Sequence, residues 1–379
     1  MTKKVLIVDD SALMRRVLSD IIAADKRFEL TESASNGMIA YDLIKADPSK
    51  YDMVILDINM PKMSGIELLE KLNAEKIHIN VIIVSTIAKQ GAAETIRCLE
   101  LGAFDFITKP DSFVETKSKS FGDKILDYMC EALKMSRSET TQPPQTGAVP
   151  SFVPRTGTTS EKGIGGPMSY VKVTSFKKLP HKSVSPTAKK IVAIACSTGG
   201  PKALQQVIPL LPKDLNAPVL LVQHMPAGFT GSLASRLDEM SAVKVSEAAD
   251  GEVIEKGHVY IAKGGNHLRL IKRGMDYCIE LGSEPPRDSL RPCADIMYES
   301  LYDLDFDEII CVVLTGMGSD GTRGIGKLGT RKNLYVIAQD EASSTVYGMP
   351  RMVYEAGITD EVVPLGSIAD AVRKIVGTR

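Results

Sequence analysis

The chain has 379 residues, 44% of them hydrophobic and 25% charged, with a formal net charge of -1 at pH 7. This length exceeds what one core of ordinary size needs, so it predicts two domains, and the near-zero charge argues against a general nucleic-acid or membrane-surface binder. The six cysteines are scattered without metal-ligand spacing, no run reaches membrane-spanning length, and no secretory signal opens the chain. We therefore expect a reduced, cytoplasmic protein without membrane insertion.

The first third of the chain alternates short apolar runs with helical stretches. The runs that read as buried strands cover residues 4–10, 51–57, 81–86 and 104–110. Ser11 is a plausible cap for the helical stretch that follows the first of them. This alternation predicts a doubly wound parallel sheet, in which the carboxyl ends of the strands share one crevice.

Polar side chains end these predicted strands: Asp9, Asp10, Asp57, Ser85 and Lys109. We expect them to converge in the crevice. Crowded carboxylates need a cation, and an all-oxygen site favours Mg²⁺. The amine of Lys109 would pair with Asp57 or with a phosphoryl group on it. Alternatively, each polar residue could simply end its strand in solvent. That explanation suits one such residue but not five at corresponding strand ends.

Three motifs in this region resemble the receiver domain of two-component response regulators. They are Val-Asp-Asp-Ser (8–11), Leu-Asp-Ile-Asn-Met-Pro-x-Met-Ser-Gly (56–65) and Thr-Lys-Pro (108–110), and the resemblance covers residues 1–125. It implies a flavodoxin-like fold and phosphorylation of Asp57 by a histidine kinase. Phe106 would hold the aromatic position that switches in such domains.

The same resemblance implies a set of ligands for the metal and the phosphoryl group. Asp10 and Asp57 would bind Mg²⁺ together with the carbonyl of Asn59, and Asp9 would assist through water. Ser85 and Lys109 would contact the phosphoryl group.

Periodicity fails from about Ser136 to Ala188, where the chain is polar and rich in proline and glycine. Such a composition predicts a flexible linker. The expected organisation is a receiver domain over 1–125, its last helix and the linker over 126–188, and a second domain over 189–379.

The second domain opens with a buried strand over 191–196 that breaks at Ser197-Thr-Gly-Gly-Pro201. A serine at such a strand-to-helix turn lies beside free backbone N–H groups, which suits a nucleophile with an oxyanion site. Two other interpretations stay open: Ser197 only caps the helix, or the glycines bind a phosphate. The neighbouring Cys196 is a weaker candidate, because a residue inside the strand should point into the sheet.

Two further strands complete a candidate catalytic set. His224 ends the strand that begins at 218, and Asp320 lies in the glycine-rich loop after the strand that begins at 308. A base and an acid are what a serine nucleophile requires. Their order along the chain differs from that of α/β-hydrolases, which disfavours a lipase or ordinary esterase. Residues 245–267 read as shorter strands and turns in an antiparallel extension.

Several motifs of the second half resemble the chemotaxis protein-glutamate methylesterase (CheB) family. They cover residues 195–201, 223–230, 260–268, 314–321 and 339–351. The resemblance implies a Rossmann-like domain that hydrolyses glutamyl γ-methyl esters on chemoreceptor helices and often deamidates glutamines. No cofactor is implied for this domain.

The resemblance also assigns the roles of the site residues. Ser197, His224 and Asp320 fall on the catalytic triad of the family. The residues that would lie at the oxyanion site are Thr198, Gly316 and Met317. We expect the unphosphorylated receiver to cover the Ser197 crevice and phosphorylation of Asp57 to favour an uncovered state.

One segment departs from the family pattern. Where the family usually has His-Arg-Pro-Ser, this chain has Ser289-Leu-Arg-Pro-Cys293. We expect the difference to affect the substrate groove rather than the triad. Two other functions stay open from the residues alone. The second domain could bind a protein or nucleotide without catalysis, or the same triad could serve a regulated peptidase.

Overall fold

The structure, a computed structural model, describes residues 2–86, 89–110, 119–135 and 176–378. The strands are β1 Lys3–Val8, β2 Phe28–Ala34, β3 Met53–Leu56, β4 Asn80–Ser85, β5 Asp105–Thr108, β6 Lys190–Cys196, β7 Val219–Gln223, β8 Lys244–Glu247, β9 His258–Ile261, β10 His267–Arg273, β11 Asp276–Gly282, β12 Glu308–Val313, β13 Leu334–Gln339 and β14 Glu361–Val363. The α-helices are α1 Ala12–Ala23, α2 Gly37–Ala46, α3 Gly65–Ala74, α4 Lys89–Glu100, α5 Lys119–Ala132, α6 Gly200–Val207, α7 Phe229–Met240, α8 Ala294–Ser300, α9 Thr322–Leu328, α10 Met349–Glu355 and α11 Ile368–Val376. Two short 3₁₀ helices cover Ile208–Leu210 and Leu365–Ser367.

The N-terminal unit is a five-stranded parallel sheet in the order β2-β1-β3-β4-β5. This order confirms the doubly wound parallel sheet predicted from the alternating pattern and the flavodoxin-like fold that the receiver resemblance implies. Ser11 caps α1 as expected, because its hydroxyl accepts the backbone N–H of Met14 at 3.3 Å. Helices α1 and α5 pack on one face of the sheet, and α2, α3 and α4 pack on the other.

The C-terminal unit is a seven-stranded sheet in the order β14-β13-β12-β6-β7-β9-β8. Every recorded pairing in this sheet is parallel, which confirms the second doubly wound domain. Strand β6 lies in the middle, with β12 on one side and β7 on the other. The carboxyl end of β6, where the Ser197 turn begins, is therefore flanked by two neighbouring strand ends.

The expected antiparallel extension over 245–267 is only partly correct. Strands β8 and β9 pair with each other in parallel and continue the main sheet. The antiparallel pair is β10 with β11, a hairpin that begins at His267 and forms a sheet of its own. The sequence of β8 and β9 is too short for its pattern to distinguish the two pairing directions.

The predicted linker over 136–175 lies outside the described residues. Residues 176–188, which the same prediction included, have no regular structure but lie against the C-terminal unit. The ring of Phe176 packs on its core beside Gly326, and the backbone N–H of Leu179 donates to the carbonyl of Gly329 at 2.8 Å. This segment lacks periodicity because single side chains, rather than a helix or strand face, hold it.

A buried ion pair fixes the start of β6 to this segment and to β12. Glu308 accepts a bond from the ring of His181 at 2.6 Å and lies 3.1 Å from the ammonium group of Lys190. The side chains of Glu308 and Lys190 are only 2% and 6% exposed. A buried carboxylate is tolerated because charged and hydrogen-bonding groups surround it.

None of the helices in the described ranges is long and apolar enough to cross a membrane.

Replacing Lys190 by methionine should destabilise the C-terminal unit by about 3 kcal/mol, because Glu308 would keep its buried charge without its nearest cation. The neighbouring Lys189 is the control. It pairs with Asp305 at the surface, so Lys189→Met should cost less than about 1 kcal/mol. Pulse proteolysis of the full chain across a urea series measures both values. Equal midpoints for the two variants would contradict a dominant role for the buried pair.

Candidate active site and receiver site

Strand β6 ends at Cys196, and the chain turns through Ser197, Thr198 and Gly199 into α6. Gly199 has φ 75°, a left-handed conformation that glycine adopts at little cost, and its position precedes the helix without a side-chain capping bond. The backbone N–H of Gly200 donates to the carbonyl of Ser197 at 2.7 Å. Ser197 therefore does not cap α6, which removes one of the alternatives. Ser197 is half-buried at the carboxyl edge of the sheet.

The register of β6 and β7 brings His224 opposite the turn. Cys196 pairs with Gln223, so Ser197 and His224 are the next residues on the two neighbouring strands. The buried side chain of Gln223 fixes this arrangement, because its Nε2 donates to the carbonyls of Ser197 at 3.0 Å and His224 at 3.2 Å. Gln223 was not among the site residues predicted from the sequence, although its place directly before His224 at a strand end was a usable signal.

His224 contacts Asp320 directly. The Nε2 atom of the ring lies 2.7 Å from Oδ2 of Asp320, and both side chains are nearly buried. This bond leaves Nδ1 as the ring nitrogen available to Ser197. A bond between Ser197 Oγ and His224 is not among the hydrogen bonds of the described residues, and such bonds are often loose before substrate binds. The structure thus brings the three predicted residues together and forms the histidine–aspartate half of the set.

Backbone and thiol donors surround the carboxylate of Asp320. Its Oδ2 accepts the N–H of Ala294 at 2.6 Å, and its Oδ1 accepts the N–H groups of Asp295 and Gly321, each at 2.9 Å. The thiol of Cys293 lies 3.2 Å from Oδ1. Burial alone would raise the pKa of Asp320, but the bonds from His224 and these backbone groups lower it to about 2. Asp320 is therefore a stable anion beside the imidazole.

The pKa of the neighbouring Asp295 shifts in the opposite direction, upward. Burial and the charge of Asp320 raise its pKa to about 6, against the opposing effect of the Gly324 N–H and Arg323. Its Oδ1 accepts the N–H of Gly324 at 2.7 Å, and its Oδ2 accepts a bond from Arg323 Nε at 3.0 Å. Asp295 thus ties α8 to the start of α9 behind the active site.

The loop after β12 lies against the serine turn. The Ser197 N–H donates to the Thr315 carbonyl at 3.0 Å, and the Gly316 N–H donates to the Val346 carbonyl at 3.0 Å. Because its N–H is occupied, Gly316 cannot use that group to bind an oxyanion. A side chain at Gly316 would approach Ser197 Cβ to 2.9 Å, so this position requires glycine for close packing. Within the described ranges, the N–H groups of Thr198 and Met317 have no protein acceptor.

Cys196 points away from this crevice. Its side chain is fully buried, and its Sγ lies 3.1 Å from Oε1 of Gln223. Burial raises the pKa of the Cys196 thiol strongly, which keeps it protonated and poorly nucleophilic. The geometry favours Ser197 over Cys196 as the reactive group.

The polar residues at the strand ends of the receiver unit also converge. Oxygen atoms of Asp9, Asp10 and Asp57 lie within 4.8 Å of one another. The ammonium group of Lys109 lies 2.8 Å from Asp9 Oδ2 and 2.7 Å from Asp57 Oδ2. Ser85 is the last residue of β4, and its hydroxyl accepts a bond from the Thr95 hydroxyl at 3.2 Å. Asn59 follows β3 as an exposed residue.

The charged groups of this cluster change one another's pKa values. Burial raises the pKa of Asp57, and the charge of Lys109 offsets only part of that effect. Burial lowers the pKa of Lys109, but Asp57 and Asp9 outweigh it and the net shift is upward. Three carboxylates that offer only oxygen atoms fit a hard divalent cation such as Mg²⁺.

The two units contact each other beside the active site. Phe106 of β5 stacks on Phe229 at the start of α7, with ring centroids 4.7 Å apart, and Arg236 of α7 lies 2.6 Å from Glu100 of α4. Burial raises the pKa of Asp105 to about 6, although the nearby Thr198 hydroxyl and Gly199 N–H have the opposite effect. The receiver strand β5 therefore reaches the turn that holds Ser197.

Comparisons with known proteins agree with both units. The CheB methylesterase family matches residues 192–372, and the response regulator receiver domain family matches residues 5–118. A protein-glutamate methylesterase/protein-glutamine glutaminase of Halalkalibacterium halodurans is 40% identical over 97% of this chain and 97% of its own length. A protein of the same name from Geobacillus kaustophilus is 39% identical over 99% of both chains. The crystal structure of the Thermotoga maritima CheB methylesterase catalytic domain is 42% identical, with a TM-score of 0.49, and covers 50% of this chain and 100% of that one.

The identity with the relatives from Halalkalibacterium halodurans and Geobacillus kaustophilus extends over nearly the whole chain, so it includes the receiver unit as well as the catalytic one. It confirms the resemblance found in the sequence motifs and favours an enzyme over a non-catalytic output domain. The chain belongs to the CheB methylesterase family, and it is an ester hydrolase with an N-terminal receiver domain.

Proposed function

We propose that this enzyme hydrolyses glutamyl γ-methyl esters on chemoreceptor helices, and deamidates glutamines there, under control of phosphorylation at Asp57. The observation that carries the proposal is the bonded His224–Asp320 pair opposite Ser197, in a chain that also has a complete acidic cluster and lysine in its receiver. The names of the full-length relatives support the choice of ester and amide substrates.

The reaction is acyl transfer in two halves. Nδ1 of His224 takes the proton of Ser197 as Oγ bonds to the ester carbonyl carbon, and Asp320 stabilises the resulting imidazolium. His224 then returns that proton to the departing methoxy oxygen, which leaves as methanol. In the second half, His224 takes a proton from water as the water oxygen bonds to the acyl carbon. The bond from that carbon to Ser197 Oγ then breaks, His224 returns the proton to Oγ, and the glutamate side chain leaves as its acid. With glutamine the first leaving group is ammonia.

Backbone N–H groups of Thr198 and Met317 would bind the oxyanion that forms on the carbonyl. They come from the two loops that meet at Ser197, and neither has a protein acceptor among the described residues. Donors fixed in this way stabilise the transition state more than the substrate. Gly316 would contribute by its small size, which lets its loop approach the nucleophile.

In the receiver, Asp9, Asp10 and Asp57 would hold Mg²⁺ with the carbonyl of Asn59. The ion supplies charge neutralisation when a phosphoryl group transfers from a histidine kinase to Asp57. Ser85 and Lys109 would then contact the phosphoryl oxygens. Lys109 already bonds to Asp57, so phosphorylation would change the partner that this lysine holds.

The contacts between the units support a covering role for the unphosphorylated receiver. Phe106 and Asp105 of β5 reach Phe229 and the Thr198 turn, and the same strand leads directly to Lys109. A rearrangement around phosphoryl-Asp57 would therefore reach the interface through one short strand. Phosphorylation would shift the population towards a state in which the Ser197 crevice is open. The cytoplasmic location expected from the sequence fits these partners and stays a prediction.

Alanine at Ser197 or His224 should lower methanol release from methylated receptor membranes by about 10³-fold or more, because each loss removes nucleophile activation. Cys196→Ala is the matched control next to the nucleophile, and it should retain activity within about tenfold. Near-normal release from Ser197→Ala together with inactivity of Cys196→Ala would transfer the nucleophile to the thiol.

A small phosphodonor with Mg²⁺ should stimulate methanol release by the wild-type enzyme but not by Asp57→Asn, because only an aspartate at that position accepts the phosphoryl group. Chelation of Mg²⁺ should abolish the stimulation and leave the basal rate. Asp52→Asn is the control, since Asp52 pairs with Lys3 away from the cluster, and it should respond like wild type. Stimulation that survives in Asp57→Asn would refute the assigned phosphorylation site.

Arg236→Glu should raise the unphosphorylated rate about fivefold, because it replaces the ion pair with Glu100 by a repulsion of about 1 kcal/mol. The rate with saturating phosphodonor should not change, since that state is already open. Adding Glu100→Arg in the same chain should restore part of the low basal rate. An unchanged basal rate in Arg236→Glu would contradict the covering role of this interface.

A further inference from the structure

Besides His224, Cys293 is the one residue within the described ranges whose side chain donates to Asp320. Its Sγ lies 3.2 Å from Oδ1 of the carboxylate, and the residue is 1% exposed. The sequence departure at Cys293 was expected to affect the substrate groove. The structure instead puts this thiol against the acid of the candidate triad.

The thiol of Cys293 acts as a hydrogen-bond donor. Burial and the negative charge of Asp320 both raise the pKa of this thiol strongly, so it keeps its proton. A buried, protonated thiol is a weak donor and a poor nucleophile or metal ligand. Its one available proton points to the carboxylate oxygen that lies nearest.

The two carboxylate oxygens of Asp320 accept hydrogen bonds from different groups. Oδ2 receives His224 and the N–H of Ala294, while Oδ1 receives Cys293 and the N–H groups of Asp295 and Gly321. The backbone donors come from fixed positions at the start of α8, for Ala294 and Asp295, and directly before α9, for Gly321. The thiol is the only one of these Oδ1 donors that a side-chain substitution can remove while every backbone bond stays in place.

We propose that Cys293 is a positioning residue for Asp320, whose S–H bond holds the carboxylate plane and withdraws part of its charge from His224. The proposal rests on the proposed function for its catalytic consequence. A serine in place of Cys293 would donate one hydrogen bond from the same position in the side chain.

Loss of this donor should change how His224 titrates. Without the S–H bond, more negative charge remains on Oδ2, which favours the protonated imidazole of His224. Since only the neutral ring can take the Ser197 proton, a higher pH is then needed for activity. The carboxylate also becomes freer to rotate, which lowers the fraction of productive geometries.

The test compares Cys293→Ala, Cys293→Val and Cys293→Ser in the full-length chain with phosphodonor and Mg²⁺. Alanine and valine remove the donor with opposite changes in volume, whereas serine keeps a donor. Cys311→Ala is the matched control, because Cys311 is fully buried in β12 and, among the residues that the structure describes, makes no hydrogen bond to Ser197, His224 or Asp320. The measurements are kcat/KM for methanol release against pH and the midpoint of the His224 ring signals by NMR, assigned with His224→Gln.

We expect Cys293→Ala and Cys293→Val to move the acid limb to higher pH by about half a pH unit and to lower kcat/KM about fivefold. Cys293→Ser should restore the wild-type limb, and Cys311→Ala should leave it unchanged. An unmoved limb in both donor-free variants, or failure of serine to restore it, would overturn the proposal. If wild type releases no methanol, the proposed function fails, and the NMR midpoints in the same variants still decide the role of Cys293.

Discussion

Parallel pairing on both sides of β6 is the constraint on which the active site depends. Because β6 pairs with β7 and with β12, the residues that follow it are flanked by two other strand ends. Ser197 then meets His224 from one neighbour and the Thr315 loop from the other. The bonds from Gln223 and Thr315 to the serine turn fix distances that strand pairing alone leaves loose. In the receiver, Asp57 and Lys109 likewise follow the carboxyl ends of parallel strands, β3 and β5, and contact each other.

Much of this arrangement could be predicted from the sequence because strand ends are recognisable. A buried apolar run that stops at a polar residue locates that residue at the edge of a sheet, and this reasoning located Ser197, His224 and Asp57. The cap at Ser11 was equally readable, since a side-chain acceptor before a periodic segment has a local cause. These features depend on neighbours within a few positions along the chain.

The features that escaped prediction depend on contacts between distant segments. The residues that surround Asp320, from Cys293 to Asp295, start a helix rather than end a strand, so no local pattern links them to a residue 25 positions away. The occupied N–H of Gly316 depends on Val346, and the attachment of residues 176–188 depends on single side chains. Stacking of Phe106 on Phe229 joins two units with separate cores, and sequence periodicity carries no information about such a pair.

The two outer strands of the C-terminal sheet have a consequence for how the protein can associate. β14 has three residues and β8 has four, and charged side chains at Glu361, Lys244 and Glu247 belong to them. Short, charged outer strands offer few unpaired backbone groups to another chain. The edges of this sheet therefore present little surface for strand addition. Association at these two edges therefore depends on side-chain contacts rather than on an added strand.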